Sequence, residues 1–133
     1  MQDGGHVTDI VLSSAEEAAI RNVLASVAYL LDARQYDRLG DVFSEDIHFE
    51  NPSRLIADGL PALIEAMTAI SEPALSHHIT NVIVDLQADG TAACISKALT
   101  LRKTGVHAAE YRDVVRRDGD GWRICSRKIR SLG

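Results

Sequence analysis

The fold is decided by residues 77–131, which read HHITNVIVDLQADGTAACISKALTLRKTGVHAAEYRDVVRRDGDGWRICSRKIRS. Four extended segments in this stretch are separated by short turns of the kind that close β-hairpins. The segments are roughly His77–Gln87, Thr91–Arg102, Ala108–Arg117 and Gly121–Ser131, and the turns are Ala88-Asp89-Gly90, Thr104-Gly105 and Asp118-Gly119-Asp120. Consecutive hairpins predict a four-strand meander and a largely antiparallel sheet.

The long segment before this meander begins with a helix. Ser14-Ala15-Glu16-Glu17 matches a capping box, with Ser14 as the N-cap and Glu17 at the third helical position. An apolar stripe then recurs at helical spacing. The stripe is Ile20, Leu24, Val27 and Leu31, and a second stripe beside it, Ala18, Ala25, Ala28 and Tyr29, ends at Asp32. Asp32 therefore lies on or beside the face that the helix buries.

Two shorter helices and one strand complete the pattern. They are a helix at about Tyr36–Phe43, a strand at Ile47–Glu50 broken by Asn51-Pro52-Ser53, and a helix opened by Gly59-Leu60-Pro61 and closed by Pro73. The order predicts an α+β fold in which three helices pack on one face of the sheet. A strongly curved sheet over the long helix is able to enclose a pocket.

Length and composition indicate one domain over residues 1–133, with a flexible N-terminal segment at 1–12. On folding, a chain of this size buries about two-thirds of the surface that it exposes when unfolded. That is enough for a hydrophobic core that needs no disulfide bond or structural metal. Met1–Val11 contains no positive residue, so we expect no signal peptide. The longest apolar run, Val27–Leu31, is too short to cross a bilayer. We expect a cytoplasmic protein.

The net charge indicates which classes of partner to expect, and the cysteines indicate the redox state of the compartment. The net charge is -5, and the late basic residues are interleaved with acidic ones, so we expect no nucleic-acid or membrane partner. Cys94 and Cys125 form no CxxC pair, which suits a reducing cytosol, although their pairing stays open. No GxSxG, GxxxxGK[ST], GxGxxG or HExxH motif occurs, and no cofactor is expected.

Two ionisable positions are candidates for chemistry. Asp32 lies at the end of an apolar face, where a carboxylate needs a partner. It could instead cap the following short helix or pair with Arg34 or Arg38. Strand alternation directs His77 and His78 to opposite faces, so one of them should face the helices. Imidazole suits proton transfer near neutral pH, but a structural histidine is the alternative.

Weaker candidates are Tyr29, one turn before Asp32, and His48, which faces away from its strand neighbours Ile47 and Phe49. Tyr111 lies mid-strand, where its ring is expected to point inward, and Arg127 is a possible counter-ion. We expect no metal site, because only tertiary coincidence would bring together the possible ligands. Those ligands are His48, His77, Glu110 and Asp113.

Several motifs in order resemble the SnoaL-like branch of the nuclear-transport-factor-2-like superfamily, over about Ser14 to Ile129. The resemblance rests on Tyr29-Leu30-Leu31-Asp32 with Tyr36-Asp37-Arg38-Leu39, on Phe43-Ser44-Glu45-Asp46, on Gly59-Leu60-Pro61-Ala62-Leu63-Ile64, on His77-His78-Ile79-Thr80-Asn81, and on Tyr111 with Arg117-Asp118-Gly119-Asp120-Gly121-Trp122-Arg123-Ile124. No single motif is specific; their order and spacing carry the resemblance.

The resemblance implies a cone of curved sheet and three helices around an apolar cavity, in a homodimer or homotrimer. By analogy with hexachlorocyclohexane dehydrochlorinase, Asp32 and His77 are the implied catalytic dyad, with His78 as the substitute if the strand carries a bulge. The implied activity is a lyase or isomerase, needing no cofactor, that abstracts a proton from a small apolar or polycyclic molecule. Tyr29, His48, Tyr111 and His78 are expected to line its pocket.

Two other functions fit the same resemblance. One is a non-catalytic module that binds a small molecule or assists assembly. The other is epoxide hydrolysis by an Asp–Arg–Asp set around a water, for which Asp32, Arg127 and Asp113 are poorly spaced.

Aromatic residues make up only 5% of the chain. One face of the second meander strand carries only small side chains, those of Ala92, Cys94, Ser96, Ala98 and Thr100. Part of the buried volume is therefore predicted to be empty and shaped for a ligand, with Tyr29 and Tyr111 near it.

Overall fold

A computed structural model describes residues 11–133, so the predicted flexible segment lies outside the described residues except for its last two. The elements are α1 (Ser14–Asp32), a 3₁₀ helix (Tyr36–Asp41), β1 (Phe43–Asn51), β2 (Leu55–Asp58), α2 (Leu60–Thr68), β3 (Ser76–Leu86), β4 (Ala92–Arg102), β5 (Gly105–Asp118) and β6 (Gly121–Ser131). The α+β architecture predicted from the sequence is confirmed. No helix in residues 11–133 is both long enough and apolar enough to span a membrane.

One six-stranded sheet has the order β2-β1-β6-β5-β4-β3. The predicted meander is confirmed, since β3 through β6 pair as consecutive antiparallel hairpins. Parallel pairing between β1 and β6 makes the sheet mixed. The sheet curls over the helices without closing, as the resemblance implies for a cone. This curl places the inner face of the meander opposite α1.

The capping box of α1 is one residue earlier than predicted. Ser13, not Ser14, is the N-cap: its hydroxyl accepts from the backbone N–H of Glu16 at 3.1 Å, and the Glu16 carboxylate accepts from the N–H of Ser13. Both registers fit the sequence. The observed one leaves Glu17 free to accept from Arg21 Nε at 3.2 Å, one helical turn on.

The core lies between α1 and the sheet. Ile20, Leu24 and Val27 of the predicted stripe are fully buried, and α1 packs on β3 and β6. The helix ends where Arg34 takes a left-handed conformation, with φ of 56°. Asp32 is the last residue of α1 and therefore projects from the end of a buried face.

Two predictions for the segment after α1 are corrected. The second helix is a short 3₁₀ helix that ends at Asp41, and the first strand begins at Phe43 rather than Ile47. Backbone pairing of Phe43 with Ile124 extends the strand, and burial of the Phe43 ring favours that pairing. Strand β2 was not predicted, because four residues after a turn are too few to show an alternation.

Helix α2 begins as predicted. Gly59 is its N-cap at φ of 92°, a conformation that favours glycine, and Pro61 lies in the first turn. Leu60, Leu63 and Met67 are buried against the 3₁₀ helix, β1 and β2. The helix stops at Thr68, before Pro73.

A bulge in β3 interrupts the strand alternation beyond the two histidines. Asn81 has a φ of 55°, and the pairing of β3 with β4 shifts register between Thr80 and Ile83. Val82 and Val84 therefore pack on the core, whereas Ile83 is exposed. Because the bulge follows the two histidines, their own alternation is preserved.

The two cysteines, whose pairing the sequence left open, are free thiols. Burial among apolar neighbours raises the pKa of Cys94 to about 12. Cys94 is therefore a small core residue and not a nucleophile.

Candidate active site

Asp32 and His77 are in hydrogen-bond contact across the interface between α1 and β3. His77 Nδ1 donates to Asp32 Oδ1 at 2.7 Å, and the backbone N–H of His77 donates to Asp32 Oδ2 at 3.1 Å. Both carboxylate oxygens are therefore used by one residue. The side chains are 25% exposed for Asp32 and 18% for His77.

This contact fixes the tautomer of the imidazole. A carboxylate only accepts hydrogen bonds, so the proton of the neutral ring lies on Nδ1. Nε2 then carries a free lone pair, the arrangement of a general base held by an orienting carboxylate.

The alternative roles considered for Asp32 are not formed in the described residues. The 3₁₀ helix has Gln35 at its N-cap with no side-chain cap, and Arg38 pairs with Asp41. The hydrogen bonds of Asp32 within residues 11–133 go to His77.

His77 lies on the wall of a cavity of about 90 Å³ between the helices and the inner face of the sheet. The apolar part of the wall comprises Leu31, Tyr36, Phe49, Leu55, Met67, Ile70, Pro73, Ala74, Tyr111 and Ile129. The polar part comprises Asn51, Arg54, His77, Arg102 and Arg127. The arrangement places one titratable base in a largely apolar space.

A wider space of about 490 Å³, here called the vestibule, adjoins this cavity. The two share six wall residues, Asn51, Arg54, His77, Arg102, Tyr111 and Ile129. His77 therefore lies where the cavity meets the vestibule.

The inner wall contains a buried ion pair between strands β5 and β6. Arg127 donates from Nε to Asp113 Oδ1 at 2.7 Å and from Nη2 to Asp113 Oδ2 at 3.0 Å. The side chains are 2% and 0% exposed, and the guanidinium lies 4.5 Å from the centre of the Tyr111 ring. Arg127 thus serves as the counter-ion of Asp113. No Asp–Arg–Asp set forms in the described chain, because Asp32 bonds His77.

Tyr111 points inward, as predicted from its strand position, and is buried. Burial raises the pKa of Tyr111, so its phenol stays protonated and able to donate near neutral pH.

The family model described as "SnoaL-like domain" matches residues 13–128 of the chain. The chain belongs to the SnoaL-like family. This SnoaL-like domain also matches solved structures over most of its length, whereas a search of curated proteins found no significant match.

Two of these structures illustrate the likeness. Hexachlorocyclohexane dehydrochlorinase LinA-type3 from Novosphingobium barchaimii LL02 is 19% identical, with 90% of this chain and 88% of that chain covered and a TM-score of 0.75. ActVI-ORFA from Streptomyces coelicolor is 19% identical, with 90% and 98% covered and a TM-score of 0.74. At such identities the likeness establishes the shared fold.

The SnoaL-like domain does not bring the other predicted site residues to the cavity. The ring of Tyr29 is 78% exposed on the outer side of α1, because that face of the helix has no sheet over it. His78 faces outward, where its Nε2 meets the hydroxyl of Ser76 at 2.8 Å, so it is not needed as the substitute base.

His48 also lies away from the cavity. It contacts Asp58 at 2.6 Å through Nδ1 and Glu50 at 3.1 Å through Nε2, on the outer face of β1 and β2. No cluster of three potential metal ligands forms in residues 11–133.

His48 offers a test of local electrostatics. The hydrogen bond to Asp58, and next the one to Glu50, raises the pKa of His48 above its ordinary 6.5. Because the pKa of His48 is higher in the folded protein than in the unfolded chain, the protonated ring stabilises the fold. This contribution to the free energy of unfolding is fully present below about pH 6.5 and is lost as the pH rises through the folded-state pKa. Titration of the ring by NMR should give a pKa above 6.5, lowered more by Asp58→Asn than by Glu50→Gln. A wild-type pKa at or below 6.5 would contradict the contact.

Sequence reasoning missed three polar residues of the cavity wall: Asn51, Arg54 and Arg102. Asn51 is the last residue of β1 and Arg54 belongs to the turn before β2, a strand that was not predicted. Arg102 ends β4 and lies where the cavity opens into the vestibule, here called the mouth of the cavity. Only the curl of the sheet brings it there.

Proposed function

We propose that this SnoaL-like domain is a cofactor-independent lyase or isomerase that begins its reaction by removing a proton from carbon. The observation that carries the proposal is the contact of Asp32 with the Nδ1 atom of His77, a cavity-wall residue whose Nε2 is thereby left without a proton. His77 is the general base in this proposal, and Asp32 is the residue that positions it.

The two hydrogen bonds to Asp32 favour this chemistry. They hold the ring in one orientation and one tautomer, and the negative carboxylate stabilises the imidazolium that forms when Nε2 takes the proton. The interaction is strengthened where water is scarce, and most of the cavity wall is apolar. General-base assistance of this kind contributes about 10²–10⁴-fold to a rate.

Elimination is the reaction that the surroundings support best. The electron pair of the broken C–H bond forms a C=C bond, and the leaving group departs from the adjacent carbon with its bonding pair. The Tyr111 phenol, which lies on the cavity wall and is kept protonated by burial, is suited to donate a hydrogen bond to the departing anion. The occurrence of the same fold in a hexachlorocyclohexane dehydrochlorinase supports this choice.

The volume of the cavity bears on the substrate. About 90 Å³ suits a small molecule better than a polycyclic one, whose further rings would extend into the vestibule. Among the substrate classes expected from the sequence, the small apolar molecule is therefore preferred.

Proton exchange in D₂O tests the proposal without knowledge of the natural substrate. We expect the protein to catalyse deuterium incorporation into, or elimination from, small ketones and nitroalkanes that carry a β-halogen or β-hydroxyl group, followed by ¹H NMR. His77→Gln should lose this activity, and the matched control His78→Gln should retain it. No exchange by the wild-type protein, or equal exchange by His77→Gln, would contradict the proposal and favour a module that only binds its ligand.

A further inference from the structure

Two arginines stand at the mouth of the cavity. Arg54, in the turn between β1 and β2, and Arg102, at the end of β4, each line both the cavity and the vestibule. A molecule that extends from the vestibule into the cavity therefore lies in a space lined by both arginines and by His77.

The positive charge at this mouth is uncompensated within the described residues. No Asp or Glu of residues 11–133 lines the cavity or the vestibule. The third arginine of the cavity wall, Arg127, has a partner, since it pairs with Asp113. Neither Arg54 nor Arg102 forms an ion pair with a described carboxylate.

The contacts of Arg102 show that it is held in place. Its Nη1 donates to the backbone carbonyl of Glu72 at 3.1 Å, which holds the side chain in place without a carboxylate partner. Partial burial, and next the nearby charge of Arg54, lowers the pKa of Arg102. The two like charges thus repel each other, and an anion between them would relieve that repulsion.

The surroundings favour an oxyanion. The net charge of the whole chain is -5, so a positive mouth is a local exception to the charge of the protein. Guanidinium groups match the geometry of carboxylate and phosphate oxygens, and Asn51, Thr100 and Thr104 supply further polar groups to the same walls.

We propose that Arg54 and Arg102 bind an oxyanion, a carboxylate or a phosphate, that belongs to the substrate. The apolar part of the molecule then extends inward, where its reacting carbon meets Nε2 of His77. The identity of the bound molecule as substrate rests on the proposed function, but the anion site itself does not.

Binding of small aromatic probes tests the anion site separately from catalysis. Benzoate, phenyl phosphate and the neutral benzamide are compared by titration calorimetry. We expect the better of the two anions to bind about tenfold or more tightly than benzamide, an effect that added salt reduces. The stronger anion identifies the group: benzoate a carboxylate, and phenyl phosphate a phosphate.

Variants at the mouth complete the experiment. Arg102→Gln and Arg54→Gln should each weaken anion binding about tenfold and leave benzamide binding unchanged. Lys103→Gln is the matched control, because it removes a positive charge next to Arg102 from a residue that lines neither space. Arg54 is exposed, so its variant is expected to fold even if Arg102→Gln does not.

Two results would overturn the anion site. One is benzamide binding as tightly as both anions to the wild-type protein. The other is anion affinity that survives Arg54→Gln or falls equally in Lys103→Gln. His77→Gln should keep anion binding while losing proton abstraction, so a failure of the anion site and a failure of the proposed reaction give different results.

Discussion

Asp32→Asn should lower the rate of proton abstraction by about 10²–10⁴-fold while the fold persists. Both carboxylate oxygens accept a hydrogen bond from His77, one from the ring and one from the backbone. An asparagine has one accepting oxygen and one donating nitrogen, so it satisfies only one of these donors.

The tautomer of His77 explains the size of the loss. If the amide oxygen of the introduced asparagine accepts the hydrogen bond from the backbone N–H of His77, its NH₂ group faces Nδ1 of the ring. The ring proton then moves to Nε2. The lone pair that takes the substrate proton is then absent from the cavity. The ¹⁵N chemical shifts of the ring should show protonated Nδ1 in the wild-type protein and protonated Nε2 in the variant, a change that mere loss of packing would not produce.

The kinetic measurements separate positioning from binding. We expect kcat to fall and KM to change little, because Asp32 contacts His77 and does not line the cavity. Asp37→Asn, which alters an exposed carboxylate in the 3₁₀ helix, is the matched control and should keep full activity. An Asp32→Asn variant with wild-type kcat would remove the dyad from the mechanism.

Arg127→Met should cost about 3–5 kcal/mol of unfolding free energy, because it leaves the carboxylate of Asp113 buried without its partner. Asp113→Leu should cost a similar amount for the opposite reason. The combined variant should recover much of the loss, since two apolar side chains of similar size replace the pair. Urea unfolding followed by circular dichroism measures all three.

A surface ion pair provides the comparison for this effect. Arg116 also bonds both oxygens of a carboxylate, that of Asp46, but in solvent. Arg116→Gln should therefore change stability far less than Arg127→Met. An equal loss of unfolding free energy in Arg116→Gln and Arg127→Met would show that burial does not explain the contribution of the Arg127–Asp113 pair.

The hairpin turns were enough to predict the meander, and strand alternation predicted that one of His77 and His78 faces the helices while the other faces out. That prediction held because the bulge at Asn81 comes after the histidine. The helical stripe similarly placed Asp32 at the end of the buried face, where the structure has it in contact with His77.

The rest depends on irregularities that leave no local signal. Regular pairing from the Asp118–Gly121 turn would place Asp113 opposite Ser126. The register shift near Val114 instead places it opposite Arg127, which creates the buried pair. The two arginines at the mouth of the cavity converge only through the curl of the sheet, so no spacing in the sequence reveals them.

The parallel pairing of β1 with β6 joins the first strand of the sheet to the last. The four hairpin strands can form from neighbours in the chain, but β1, and β2 through it, join the meander only by way of β6. The cavity, whose wall includes Arg127 and Ile129 of β6, is therefore complete only once β6 has paired with β1. A ligand that occupies it would stabilise this late docking step rather than the early hairpins.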